Sequence, residues 1–258
     1  MTLNLIHIKS LAGALAMTLL LSGCEKDVLQ PARDTVLVNL KGDVKNVVLK
    51  KYHAEQGEND KDYKMGDLLE FKTFDYNKDG MLLIERTIDK DSTILEEVKH
   101  TYDTKGHTTT ITSDEWTEIV TRDLDKGIRT RTFKQNEGDV LMVFEEKIDS
   151  KGLPLETTVT NAKGEITRRS KSVRNVRGHV TEHEVYLGDS LVYRVTSTLN
   201  TSGDPVTEIE TNANDTVANR AFIYNYDGKG NWIRRITRHM PKGEKPYYTL
   251  SERAIVYY

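Results

Sequence analysis

Residues 223–232 read IYNYDGKGNW: tyrosines at alternate positions, an aspartate, a glycine three residues later, then Asn231-Trp232. An aspartate at the head of a type I turn accepts from the backbone two residues on. A glycine three positions later takes the positive φ of a G1 bulge. The stretch is therefore read as two antiparallel strands around a short loop. With 228–230 as that loop, Asp227 faces Asn231, Tyr226 faces Trp232, Tyr224 faces Arg234 and Phe222 faces Ile236. One face of the hairpin is expected to carry Phe222, Tyr224, Tyr226, Trp232 and Ile236, with an arginine over an aromatic ring. Tyr224, Tyr226, Trp232 and Arg234 form a candidate binding surface, although aromatics in such positions more often pack a sheet.

The turn recurs. Asp or Asn, two residues, then Gly occurs at Asn77/Gly80, Asp103/Gly106, Asp149/Gly152, Asn161/Gly164, Asn200/Gly203 and Asp227/Gly230, with a weaker copy at Asn175/Gly178. In the first copy Tyr76 is expected to face Leu82, and Phe74 to face Ile84. Gly188-Asp189 suits a tight two-residue turn that sets Tyr186 against Leu191 and Val185 against Val192. Beyond the first two dozen residues no 3.6-residue period is sustained. The expected fold is all-β: an antiparallel β-meander of successive hairpins forming an open curved sheet or half-barrel. Stretches polar on both strand faces, such as TRRSKSVRN (167–175), suit a sheet wetted on both sides.

Tyr224-x-Tyr226-Asp227-x-x-Gly230-Asn231 resembles the YD, or RHS, repeat. Tyr102-Asp103-x-x-Gly106 matches it in part, and Tyr76-Asn77-x-x-Gly80 keeps its turn. In that family the repeats roll a long β-sheet into a shell, often around a toxin. The resemblance implies a curved sheet and transfers no catalytic residues. The copies are too few for a large shell, so an open sheet is expected.

The N-terminus carries a different signal. Residues 11–21 (LAGALAMTLLL) are apolar, too short to span a bilayer and of signal-peptide length. They run into Leu21-Ser22-Gly23-Cys24, which resembles the bacterial lipobox at all four positions. That resemblance implies cleavage before Cys24, a diacylglyceryl group on its thiol and acylation of the new amine, such as palmitate. Residues 1–23 are thus expected to be a lipoprotein signal peptide, 24–35 a lipidated tether and 36–258 the β-sheet domain. Two or three acyl chains, at about 0.8 kcal/mol per buried CH₂, hold a protein to a membrane durably. Glu25 follows the cysteine, and an outer-membrane location in the cell envelope is expected. Cys24 is the sole cysteine, so the mature chain has no internal disulfide.

Removal of the leader leaves about 235 of 258 residues, enough for one large all-β domain. A formal net charge of -3 argues against a nucleic-acid partner. A protein or glycan partner is the candidate, beside the membrane itself. No cofactor or metal is expected. His179-Val-Thr-Glu-His183 spells a zinc-peptidase string, but that motif works on a helix, and here it runs between turn glycines in strand-forming surroundings. His100 and His107 flank a turn without a third ligand in view. Adjacent carboxylates such as Glu96-Glu97 and Glu145-Glu146 would point to opposite strand faces. With no nucleophile elbow, phosphate loop or paired acid and base, the chain reads as no enzyme. The expected role is an envelope protein presenting a β-sheet for binding or scaffolding. The alternative is an assembly or lipid-carrying lipoprotein, with Trp116, Trp232, Tyr224, Tyr226, Phe74 and Tyr76 converging on an apolar concave face.

Overall fold

The computed structural model describes residues 39–58, 62–136, 138–212 and 215–258. Cys24, the leader and the tether lie outside them. Sixteen strands follow in order: β1 (Val44–Gln56), β2 (Tyr63–Tyr76), β3 (Leu82–Ile88), β4 (Ile94–Tyr102), β5 (Thr108–Thr112), β6 (Trp116–Asp123), β7 (Ile128–Gln135) and β8 (Val140–Ile148). The second half is β9 (Pro154–Asn161), β10 (Ile166–Arg174), β11 (Val180–Leu187), β12 (Ser190–Leu199), β13 (Pro205–Thr211), β14 (Thr216–Tyr226), β15 (Trp232–Pro241) and β16 (Tyr247–Tyr257).

Each strand pairs antiparallel with its sequence neighbours, and β1 pairs with β16, so the meander closes into a barrel. This corrects the expectation of an open sheet or half-barrel. The closing ladder runs from Val44↔Tyr257 to Ala54↔Tyr248. Pairing between the first and last strands joins residues some 200 positions apart, and no local pattern announces it. Closure removes both exposed edges, the liability that an open sheet would have to cover.

An up-and-down barrel puts alternate turns on opposite rims. The turns at Asn77, Asp103, Asp149, Asn175, Asn200 and Asp227 all fall on one rim, together with the start of β1 and the end of β16. Asn161 and Gly164 lie on the other. The spacing of about 25 residues is therefore the length of one two-stranded hairpin. Each of these turns is built alike: Asp227 Oδ1 accepts from the N–H groups of Lys229 and Asn231, both at 2.9 Å, and Asp103, Asp149, Asn77, Asn175 and Asn200 do the same at their own i+2 and i+4 positions. Asn161 repeats it on the opposite rim, accepting from Lys163 at 2.9 Å and Glu165 at 3.0 Å.

One pair beyond each of these six Asp/Asn turns of the first rim, the register slips by a residue; the seventh turn there, between β6 and β7, has no slip. Tyr226 faces Trp232 as read from sequence, but Asn225 then faces Arg234, leaving Ile233 as the extra residue. Leu83, Thr109, Leu155, Thr181 and Val206 are the equivalents. A bulge increases local twist and bends its strand. Further slips lie beside turns of the other rim, at Ile88, Lys134, Ile166, Tyr186 and Thr211, and together the bulges supply the coiling that a closing sheet needs.

The slips correct several expected pairings. Tyr224 faces Arg235 rather than Arg234, and Phe222 faces Thr237 rather than Ile236. Phe74 faces Glu85 rather than Ile84, and Val185 faces Tyr193 rather than Val192. Ile236 and Arg234 therefore leave the face that carries Phe222, Tyr224, Tyr226 and Trp232.

Residues directly opposite in a ladder share a face, so the register sorts the wall into two. One face carries Val47, Phe74, Tyr76, Val98, Glu118, Val120, Phe133, Phe144, Glu146, Val159, Val185 and Trp232, all buried. Crowding by neighbours marks it as the concave, inner face. The convex face carries ion pairs in mid-strand: Arg86 with Asp75 (2.6 Å) and Glu97 (2.7 Å), Lys147 with Glu156 (2.7 Å), and Arg194 Nε with Glu184 (2.8 Å). It also has one dry patch, where Ala54, Ile236 and Leu250 pack against Tyr63 and Tyr248. A membrane-spanning barrel needs an apolar outer band, and a basic residue at mid-bilayer costs about 2–4 kcal/mol. Exposed apolar side chains, among them Val173, Ile209, Ile223 and Val256, stand between these ion pairs on the same face.

Candidate functional site

The tyrosines of the opening stretch are braces. Tyr224 Oη donates to the Pro205 carbonyl (2.8 Å), and Tyr226 Oη to Asp204 (3.0 Å) while accepting from Asn200 Nδ2 (2.7 Å). Tyr102 Oη does the same to the Leu82 carbonyl (2.5 Å). In each case a tyrosine beside one turn ties its hairpin to the one before, and the rings then stack along the inner wall. Tyr224 lies 6.3 Å from Phe222, 5.8 Å from Tyr226 and 6.3 Å from Trp232. Burial first, then the carboxylate of Asp204, pushes the Tyr226 phenol up to about 12. These groups are committed to the wall, which answers why aromatics alternate beside the turn.

Chain entry uses the same rim. Asn39 Nδ2 donates to Asp204 Oδ1 (2.9 Å) and to the Ser202 carbonyl (3.0 Å), and the Lys41 N–H donates to Asn231 Oδ1 (2.6 Å). Leu40 packs with Val44, Val47, Phe74 and Tyr76. His179, at the neighbouring turn, donates through Nδ1 to the Gly203 carbonyl (3.1 Å), its ring lying where a Cβ on Gly203 would stand. Gly203, at φ +89°, therefore serves both the turn and this contact.

Gly152 and Gly164, named from sequence as turn-forming, differ from Gly203 in what lies beside them. Both take the positive φ that their turns require, +76° and +79°. The space beside each is open, and a Cβ on either would meet nothing within 4 Å. Gly152 follows β8 and Gly164 follows β9, on opposite rims and away from the strands of the cavity described below. Their role is confined to reversing the chain, because nothing packs against them that could form part of a site.

Two charged clusters occupy the inner wall. In the first, Arg131 grips Glu118 with two bonds, Nε to Oε1 at 2.7 Å and Nη2 to Oε2 at 2.8 Å, and reaches Glu146 at 3.4 Å. Arg129 also bonds Glu146, and Phe144 lies under Arg131 at 5.2 Å. Both glutamates are 3% exposed. Burial alone would raise the Glu146 carboxyl, but the two guanidinium groups hold it below its ordinary value. This cluster is internally satisfied.

The second cluster is not. Lys51, Arg220 and Arg235 line a cavity of about 180 Å³ with Phe222, His239 and Thr249. The register places them side by side: Lys51 faces Ser251, Ser251 faces Arg235, and Arg220 faces His239. Arg220 is paired, with Glu208 at 3.2 Å and Glu210 at 2.7 Å. Arg253 continues the row, 3.5 Å from the centre of the Trp232 ring, whose centre lies 4.9 Å from Arg235. The cation over the aromatic is thus Arg235, joined by Arg253, and the expected Arg234 faces Glu252 on the outer wall.

Burial, then Lys51, Arg220 and Arg235, bring His239 down from 6.5 to about 4. Its Nε2 lies 3.1 Å from Thr249 Oγ1 and its ring stacks on Tyr247. A histidine depressed in the folded state stays neutral while the unfolded chain takes up a proton. Its contribution is therefore complete above pH 6.5 and disappears as pH falls towards 4. Discounted for partial exposure, it is about 1 kcal/mol. Urea midpoints for His239→Gln are expected to fall less steeply between pH 7 and pH 4 than those of the parent; parallel curves would refute this.

The other residues singled out from sequence stay apart. His179 sits at the rim and His183 within β11, its Nδ1 3.1 Å from Ser172 Oγ. His107 pairs with Asp103 at 3.2 Å. Trp116 is on β6, stacked on Phe133 and bonded to Glu96 at 3.2 Å, nearly opposite Trp232 in the strand order of the barrel. Among the described residues no three His, Cys, Asp or Glu are placed to hold a metal ion, and no helix is long and apolar enough to cross a membrane. The inner cationic row went unseen in the sequence. Arg220, Arg235 and Arg253 lie on the consecutive strands β14, β15 and β16, where the register slip hides Arg235, and only closure brings Lys51 of β1 beside them.

No protein-family model matches the chain, and no curated protein matches it. Among solved structures, it is similar to a porin-like protein from Bacteroides uniformis ATCC 8492, at 12% identity and TM-score 0.41, over 84% of this chain and 99% of that one. It is also similar to part of the TcdB2-TccC3-Cdc42 complex, at 10% identity and TM-score 0.30, over 79% of this chain and 14% of that one.

Proposed function

We propose that this protein is a lipid-anchored component of the bacterial cell envelope, a closed barrel standing in the aqueous space beside a membrane, which binds or scaffolds a partner and catalyses no reaction. The observation that carries this reading is the charged convex wall, which suits a barrel in water, combined with the lipobox-like Leu21-Ser22-Gly23-Cys24. The likeness of its turns to YD repeats belongs to the same reading, as a small closed relative of such shells. Chain entry adds an orientation. Asn39 is seated at the rim of Asp/Asn turns, and the fifteen positions from Cys24 reach at most about 50 Å when extended. That rim therefore faces the bilayer. Its turns carry acids beside bases, Asp79, Asp103, Asp125, Asp149 and Asp227 with Lys78, Lys105, Lys126, Lys151, Arg177 and Lys229, so this orientation rests on the tether and not on charge.

The alternative of an apolar concavity for lipid has less behind it. Aromatic and apolar side chains do line the inner face, but Glu118, Arg131, Glu146, Lys51, Arg220 and Arg235 interrupt them. The anchor is tested by Cys24→Ala. The protein should shift from the membrane pellet to the soluble fraction and lose incorporation of labelled palmitate. Retention of both signals by the variant would rule the anchor out.

A further inference from the structure

The inner wall between β13 and β1 holds more positive charge than it needs for folding. Arg235 makes no hydrogen bond or ion pair through its guanidinium among the described residues, and its Nε is buried without a partner. Arg253 has no carboxylate within ion-pairing distance there either; its contacts are the Trp232 ring and the field of Arg235. Lys51 faces Glu70 in the ladder, but Glu70 makes its ion pair with Lys72, at 3.8 Å. The two acids lining this stretch, Glu208 and Glu210, are both taken by Arg220. The first cluster, further round the same face, shows what balanced charge looks like in this barrel: two buried glutamates gripped by two arginines.

We propose that the cavity bordered by Lys51, Arg220 and Arg235 is a binding site for a small oxyanion, a phosphate or carboxylate group carried on a compact ligand. A guanidinium presents a planar fork that matches either group, and an ammonium adds a point charge. The volume of about 180 Å³ suits such a group with a few attached atoms, well below the roughly 300–1,000 Å³ of drug-sized pockets. Phe222 offers an apolar side, while the Thr237 and Thr249 hydroxyls line the same cavity. The titration of the surrounding groups agrees with unneutralised charge. Burial lowers Lys51 against the opposing pull of Glu70, with Arg235 and Arg220 adding to the fall, and burial with Arg235 brings Arg253 down to about 9. Perturbed groups gathered at a cavity are a mark of functional sites. The ordinary rival is a guanidinium held by its ring contacts with Trp232 and Phe222 and otherwise hydrated.

The site rests on the reading of the barrel as a binding module and is independent of the anchor, since Cys24→Ala protein can be used throughout. Calorimetric titration of that full-length protein with inorganic phosphate, and separately with glucuronate, at ionic strength held constant with sodium chloride, tests it. At least one probe should bind. Arg235→Gln should weaken that binding at least tenfold, Lys51→Gln should weaken it in the same direction, and Arg238→Gln, on the exposed outer face of the same strand, should leave it unchanged. Without ligand, Arg235→Gln should melt no lower than the parent, because it removes repulsion. A purely structural arginine predicts a lower melting temperature and no loss of anion binding. Failure of both probes to bind, or equal affinity in Arg235→Gln and Arg238→Gln, would overturn the assignment.

Discussion

Replacing Arg131 by methionine is expected to destabilise the barrel by about 3–5 kcal/mol, the range for removing one partner of a buried ion pair. Arg131 holds Glu118 by two bonds and shares Glu146 with Arg129. Without it, Glu118 is left 3% exposed and charged, and its desolvation is no longer offset. The deficit has a pH signature. Glu146 is held below its ordinary value of 4.5, so its stabilising contribution is complete above that pH and is lost as acid protonates the folded form. In the variant much of that contribution is already missing. The difference between variant and parent should therefore be largest near neutrality and shrink as pH falls through 4.5. Denaturant titration at pH 7 and pH 4 measures both effects. Adding Glu118→Leu, Glu146→Leu and Arg129→Met to Arg131→Met should recover most of the loss, because replacing a whole buried ionic set by apolar side chains of similar size is often neutral or better. A loss below about 1 kcal/mol for the single variant, with no change across that pH range, would show that water already screens the cluster.

Local chemistry was legible in the sequence, and long-range geometry was not. An aspartate or asparagine with a glycine three residues on is a self-contained instruction, so the hairpins around Asp103, Asp149 and Asp227 could be read from a few letters each. The turn glycines Gly152 and Gly164 show the limit of that instruction: it sets their backbone and says nothing about what lies beside them, which is open space. The same letters foretold the first pair beyond the turn, Tyr226 with Trp232 and Tyr76 with Leu82. They could not foretell the second pair. The slip at Ile233 or Leu83 depends on the twist of the whole wall, and its outcome exchanges Arg234 for Arg235 on the inner face. One residue of register moves every later side chain to the opposite face. The candidate site depended on two things the letters could not show: the slip that turns Arg235 inwards, and the return of β16 to β1 that brings Lys51 beside it. The stretches polar on both faces have the same explanation. In a sixteen-stranded wall with water outside and a wide interior, Ser170 and Ser172 can face inwards while Arg169 and Lys171 face outwards, and neither needs a dry core.

Closure itself makes the last large prediction. Val48 and Ala254 are direct partners across the β1–β16 ladder and face the outer side. Cysteines at these two positions, in a Cys24→Ala background, should form an intramolecular disulfide under mild oxidation. The bond would close a loop of about 200 residues, for which the chain-entropy estimate is up to about 5 kcal/mol of stabilisation. Non-reducing electrophoresis should show a faster monomer, and melting under oxidising conditions should move upward and return on reduction. Cysteines at Val48 and Thr132 provide the contrast, since β7 lies well round the wall from β1 and no monomeric cross-link can bridge the barrel. In an open sheet the first and last strands would instead be two free edges, each able to pair with another molecule. The Val48 and Ala254 cysteines would then give disulfide-linked dimers and larger species rising with protein concentration. That pattern would dismantle the barrel, and with it the meeting of Lys51 and Arg235 on a single inner wall.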